Sequence, residues 1–79
     1  MKLQKQIGFE FEIGAPIAMR TVCKKIKDEL GITGLKTQED YTVITPQKYD
    51  GEIVTPVWPY RQGIVNLRRI FRWFAANGV

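Results

Sequence analysis

Two glutamates, Glu10 and Glu12, lie in a segment where apolar and polar residues alternate. The alternation over residues 6–14 predicts a half-buried β-strand with one apolar and one acidic face. Carboxylates two residues apart on one strand face are separated by roughly 6.6–7 Å, and glutamate is depleted in strands. The strand therefore either carries two solvated charges, as an exposed sheet face does, or uses them.

A second set of residues that could bind a ligand or partner is a group of arginines near the end of the chain. Guanidinium groups bind phosphate or an acidic protein surface, whereas the alternative role is a solvated helix face. Four arginines without a lysine favour the contact role, because arginine is enriched at interfaces. We predict a partner-binding surface that contains Arg61, Arg68, Arg69 and Arg72.

Three aromatic residues accompany these arginines. Trp73 adjoins Arg72 in the sequence and is predicted to share its surface. Trp58 and Tyr60 lie on a proline-rich connection and are predicted to form a binding patch, since buried aromatic anchors dominate many interfaces. Trp58 fits equally well as a cap over the core.

Composition narrows the classes of function. The 79 residues form one domain, 1–79, with a net charge of +4 that weakly favours acidic partners or nucleic acid. The absence of histidine and the single cysteine, Cys23, exclude a zinc site and predict an intracellular protein. No apolar stretch approaches the ~18 residues of a membrane span, and no signal peptide is evident.

The elements that must position these residues follow from periodicity. Residues 35–40 are predicted to be a polar connection, and residues 49–51 a turn. The regular elements alternate as β-α-β-β-α and predict an α+β fold, a small, mainly antiparallel three-stranded sheet with two helices packed on one face. Their predicted bounds are strand 6–13, helix 16–30, strand 41–45, strand 52–55 and helix 60–76.

Each predicted helix has an apolar stripe at three- and four-residue steps, which is typical of a face packed on a core. In the second helix the stripe comprises Ile64, Leu67, Phe71 and Phe74. In the first helix it comprises Met19, Val22, Cys23, Ile26 and Leu30.

Three short segments resemble motifs of the amidoligase family, which are carboxylate–amine ligases related in fold to glutamine synthetase. Residues 7–12, Ile-Gly-Phe-Glu-Phe-Glu, resemble the Gly-x-Glu-x-Glu strand that opens the family. Residues 50–56, Asp-Gly-Glu-Ile-Val-Thr-Pro, resemble its Gly-x-Glu-hydrophobic-Val-Ser/Thr-Pro segment, and residues 74–79 resemble the end of the helix that follows. The order and spacing of the three segments fit, and the match covers most of the chain.

The resemblance implies a site for ATP and its metal ions at Glu10, Glu12 and Glu52. Mg²⁺ is a hard cation held by carboxylates and phosphate oxygens, and it would relieve repulsion among these side chains. In the family, ligation then passes through an acyl phosphate whose formation the metals assist.

The chain also departs from the family. Family members continue beyond the segment matching Val79 into further strands and a Gly-x-His-x-His motif, whereas this chain has no histidine. Residues 45–49 stand where the family tends to carry Asp-x-Ser. The chain thus resembles the amino-terminal portion of an amidoligase standing alone, with the catalytic remainder missing.

These observations together predict a protein without catalytic activity or cofactor, which binds a protein partner in the cytoplasm of a bacterial host. The concrete form is a phage or mobile-element inhibitor of a host defence complex, of the anti-CRISPR type, acting on a nucleoprotein. Two alternatives remain open. One is half of a split amidoligase that binds Mg-ATP. The other is a nucleic-acid-binding module that uses the arginines. The acidic strand and the modest net charge argue against this second alternative.

Overall fold

The computed structural model describes residues 5–39 and 49–79, which contain two helices and five strands. The predicted strand 41–45 lies outside the described residues. In chain order the elements are β1 (Gln6–Ile7), β2 (Glu10–Ala15), α1 (Met19–Leu30), β3 (Lys36–Glu39), β4 (Tyr49–Val54), β5 (Trp58–Pro59) and α2 (Tyr60–Ala76).

The main sheet has three antiparallel strands in the order β2-β4-β3. Phe11 of β2 lies opposite Ile53 of β4, and both side chains are buried beneath the helices. The rings of Phe71 and Phe74 on α2 approach Phe11 from that same side, at 5.6 and 5.7 Å between centroids. The predicted α+β fold, a small antiparallel sheet with two helices, is confirmed, and a two-stranded ribbon of β1 and β5 adds to it.

Two segments predicted to be irregular are strands. The segment 36–39, predicted as part of a polar connection, is β3, in which the side chains of Lys36, Thr37 and Gln38 are exposed. Backbone pairing with β4 is enough to hold a polar strand, so the lack of apolar alternation misled the prediction. The segment 49–51, predicted as a turn, opens β4. There Gly51 makes room for the core, since a Cβ on it would lie 2.6 Å from Cγ of Met19.

The predicted strand 6–13 is interrupted, so that β1 and β2 belong to different sheets. A matching interruption lies between β4 and β5. The backbone N–H of Phe9 donates to Oγ1 of Thr55 at 2.8 Å, and the N–H of Thr55 donates to the carbonyl of Phe9 at 2.9 Å. The Thr55 hydroxyl in turn donates to the carbonyl of Pro56 at 2.9 Å. The segment from β1 to β2 and the segment from β4 to β5 therefore pass between the two sheets side by side.

Helix α1 begins at Met19 rather than at residue 16, because residues 16–18 turn the chain away from β2. Its predicted stripe packs on the sheet, with Met19, Val22 and Ile26 fully buried and Cys23 partly buried against them. The helix ends at Gly31, whose φ of 71° is the left-handed conformation that closes many helices.

Helix α2 has the predicted bounds, but it is rotated relative to the predicted stripe. Its buried line runs through Gly63, Ile70 and Trp73, whereas Phe71 is 51% exposed. A Cβ on Gly63 would collide with Cγ2 of Ile7, so this glycine permits α2 to approach β1 closely. The close approach fixes which side of α2 faces inward.

Candidate interaction surface

The side of α2 that faces away from the core carries a line of cations. Arg61, Val65, Arg68 and Arg72 follow one another at steps of four, three and four residues, which places them on one face of a helix. All four are exposed, Val65 by 50%. We call these residues the arginine surface.

The arginine surface concentrates the charge of the whole chain. Helix α2 contains four arginines and no acidic residue, while the remaining eight cations balance the eight anions of the chain. The net charge of +4 is therefore carried by this one helix. Within the part of the chain that the structure describes, the guanidinium groups of Arg61, Arg68 and Arg72 form no ion pair or hydrogen bond.

An apolar line runs directly beside the arginine surface. It is formed by Tyr60, Ile64, Leu67 and Phe71, each of which directly precedes a member of the arginine surface in the sequence. Tyr60 is 48% and Phe71 51% exposed, and Ile64 and Leu67 are half-buried. We call this line the apolar seam, and the ring of Phe71 joins it to the aromatic residues of the core.

The sequence placed most of the apolar seam in the core, and this assignment is wrong for Phe71. The core instead uses the neighbouring line through Ile70 and Trp73. Two apolar lines on one helix are more than a single packed face requires. That excess is the signal in the sequence from which a half-covered seam could have been recognised.

Arg69 was predicted as a partner-binding residue, but the structure gives it an internal role. Its Nη2 donates to the backbone carbonyl of Leu30 at 2.7 Å. Leu30 is the last residue of α1, where carbonyl groups lack helical partners and the helix dipole favours a cation. Arg69 therefore caps α1 and holds the two helices together.

Trp73 was also predicted to contact a partner, and the structure corrects this prediction. Its side chain is only 5% exposed and packs edge-on against Phe74, with ring centroids 6.3 Å apart. Among the described residues, its buried Nε1 has no hydrogen-bond acceptor. Successive helical residues point about 100° apart, so adjacency to Arg72 in the sequence does not place Trp73 on the same face.

The predicted aromatic patch divides between core and surface. Trp58 is half-buried and packs against the core, which matches its alternative role as a cap. Tyr60 is exposed and borders a shallow cleft of about 310 Å³ that is also lined by Lys5, Pro59 and Arg61. Beneath the cleft, the backbone N–H of Tyr60 donates to the carbonyl of Lys5 at 2.9 Å. The cleft extends the arginine surface at the start of α2.

The three predicted site glutamates lie on the opposite side of the molecule, on the sheet face away from the helices. Glu12 stands directly opposite Glu52 in the β2–β4 register, and Glu10 lies two residues along β2. Glu10 and Glu12 are exposed. Among the described residues, however, no group of three acidic, cysteine or histidine side chains is placed to hold a metal ion. The three glutamates therefore share one face of the sheet.

Comparison with protein-family models, with curated proteins and with solved structures found no match to this chain. The amidoligase resemblance therefore rests on the three short sequence segments alone and stays a prediction. Among the described residues, neither helix combines the length and the apolar character needed to cross a bilayer.

Proposed function

We propose that this protein is a non-catalytic binding module that contacts a protein partner through the arginine surface and the apolar seam of α2. The observation that carries the proposal is the placement of the entire net charge on one helix, beside a phenylalanine that is 51% exposed. Arginine and aromatic side chains are the residue types enriched at protein–protein interfaces and at their energetic centres.

The apolar seam favours a protein over a nucleic acid as the partner. Binding to a phosphate backbone is dominated by charge and offers no matching surface to an aliphatic side chain such as Val65. Val65, within the arginine surface, and Phe71, beside it, are each about half exposed. A protein surface that combines carboxylates with apolar groups would satisfy both kinds of residue at once.

The narrower form of the proposal is an inhibitor, made by a phage or mobile element, that occupies a surface of a host defence complex of the anti-CRISPR type in the bacterial cytoplasm. Its support is a helix that presents exposed arginines beside half-exposed apolar side chains. Such a module acts by blocking a surface, for which a single exposed helix suffices.

The test is a cross-linking pull-down from bacterial host lysate with three proteins. These are the natural chain, an Arg68→Glu/Arg72→Glu variant, and a control with Lys24→Glu and Lys25→Glu on the exposed side of α1. Both variants change the net charge equally. We expect the natural chain and the control to retain the same partner and the α2 variant to lose it. Equal retention by all three proteins, or no partner for the natural chain, would contradict the proposal.

A second candidate, half of a split amidoligase, is favoured by one observation, the direct opposition of Glu12 and Glu52 on one sheet face. Calorimetric titration with Mg²⁺ and ATP tests it, with the Glu10→Gln/Glu12→Gln/Glu52→Gln variant measured in parallel. Saturable binding that disappears in the variant would support a nucleotide site. Equal heats in both proteins would remove this candidate.

A further inference from the structure

We propose that the partner presents an acidic amphipathic helix, which packs along the apolar seam and places carboxylates against Arg61 and Arg68. The inference rests on the proposed function and specifies the chemistry of the partner.

The spacing of the apolar seam is that of a helix–helix contact. Its members at 60, 64, 67 and 71 alternate steps of four and three residues, which is the repeat of the apolar positions in a coiled coil. Arg61 and Arg68 each follow a seam residue directly and are seven residues apart, or roughly 10.5 Å along the helix axis. Flanking positions of this kind carry the charges that select a partner helix.

The fold leaves the seam only partly covered. Leu67 is half-buried against the core, while Phe71 keeps 51% of its surface exposed although its ring also contacts Phe11 and Phe74. One edge of the Phe71 ring therefore packs against the core, and the other edge is exposed and could contact a partner. A second helix packed along the seam would bury the exposed edge of Phe71 together with the side chains of Ile64 and Tyr60.

The charges decide which helix fits. A second copy of this chain packed through the same seam in a two-fold pair would bring Arg61 near Arg68 of the other copy, and α2 has no acidic residue to separate them. Repulsion between like charges therefore disfavours self-association through α2. An acidic helix supplies the opposite charge at the same positions.

The experiment is a selection of peptide binders. A displayed library of 21-residue peptides, randomised at every position among residues that favour or tolerate a helix, is enriched on the full 79-residue protein. Selected peptides are then labelled and titrated by fluorescence anisotropy. We expect the enriched peptides to combine apolar residues at steps of three and four with flanking Asp or Glu. Arg68→Glu should weaken their binding at least tenfold without changing the thermal midpoint, and replacing the facing peptide Glu by Lys should restore it.

Apolar variants and controls complete the test. Phe71→Ala should also weaken binding at least tenfold, and Ile64→Ala serves if Phe71→Ala fails to fold, while Lys24→Glu should have no effect. Binders without acidic residues, or affinities unchanged by Arg68→Glu, would overturn the inference. So would binding of a 20-nucleotide strand or of phosphatidylglycerol vesicles that needs Arg68 but not Phe71. If a lysate partner still depends on Arg68 and Arg72 when no acidic helix is selected, the proposed function stands and only this inference fails.

Discussion

The hydroxyl of Thr55 lies where two segments of the chain, 7–10 and 54–58, pass between the main sheet and the ribbon. This hydroxyl accepts a hydrogen bond from the Phe9 N–H and donates one to the Pro56 carbonyl. Only 7% of the Thr55 surface is exposed. We predict that Thr55→Val, which keeps the shape and removes the hydroxyl, lowers the free energy of unfolding by about 1–3 kcal/mol because a buried N–H loses its acceptor.

Urea denaturation measures this loss, and Thr55→Ser is the matched control. The serine variant keeps the hydroxyl and loses one methyl group, so it should cost less than the valine variant. A valine variant as stable as the natural chain would show that the hydroxyl does not hold the two segments together.

Cys23 offers a prediction on pH. Burial raises the pKa of its thiol from 9.0 to about 11, so at pH 8 the thiolate fraction should be about 100-fold lower than in the unfolded chain. Alkylation by iodoacetamide should be correspondingly slow in the native protein and fast in urea. Equal rates in the two states would contradict the burial of this thiol.

The same shift has a consequence for stability. Because the pKa is raised on folding, the contribution of the neutral thiol is fully present below pH 9 and is lost as the pH rises toward 11. Denaturation midpoints of the natural chain should therefore fall more between pH 8 and pH 10.5 than those of Cys23→Ala. Parallel curves for the two proteins would show that another group controls the alkaline loss.

Among the elements, α2 and β1 are fitted together by Gly63. We predict that Gly63→Ala lowers the free energy of unfolding by about 1–3 kcal/mol, because the new methyl group collides with Ile7. Alanine is otherwise the better helix former by about 1 kcal/mol. In an Ile7→Ala background the same substitution should therefore become neutral or stabilising, and urea titrations of the four proteins test this. A cost that persists without the Ile7 side chain would locate the strain elsewhere.

Two neighbouring arginines of α2, Arg68 and Arg69, differ in their contacts within the protein. Arg69→Gln should lower the free energy of unfolding by about 0.5–1.5 kcal/mol because it removes the bond to the end of α1. Arg68→Gln, one residue away and without a hydrogen bond to any described residue, should leave it within about 0.5 kcal/mol. Thermal and urea unfolding of the two variants distinguish the structural arginine from the exposed one.

Elements with strong local signals were predictable from the sequence, and those defined by tertiary contacts were not. The bounds of α2 follow from Pro59 at its start and the periodic apolar residues after it. The strand β3 was missed because Lys36–Glu39 contains no apolar residue and its place in the sheet is set by pairing with β4, a contact distant in sequence. The rotation of α2 was missed because it depends on Gly63 meeting Ile7, a contact between residues far apart in sequence.

The same distinction applies to the candidate surface. Arg61, Arg68 and Arg72 could be grouped from their helical spacing, and the structure places all three on one exposed face. Arg69 and Trp73 could not be separated from them, because the bond to Leu30 and the burial of the indole arise only when α1 and α2 pack together. Phe71 was assigned to the core for the same reason.

At the scale of the molecule, the core is shared by the sheet and both helices. Phe11 from β2, Ile26 from α1, Ile53 from β4 and Ile70 from α2 belong to one buried cluster. We therefore predict a single cooperative unfolding transition, with equal midpoints from far-ultraviolet circular dichroism and tryptophan fluorescence. An earlier midpoint for the helical signal would show that α2 detaches before the sheet unfolds.

The hydrogen bond from Tyr60 to Lys5 has a practical consequence for how the protein is immobilised or labelled. It brings Lys5, the first residue that the structure describes, beside Arg61 and the start of α2, so a tag fused to the amino terminus is attached only a few residues from the arginine surface. The other end of α2, a helix of 17 residues, lies roughly 25 Å away. A fusion after Val79 keeps bulky domains at that distance, and bait proteins tagged at the two ends should differ in what they capture.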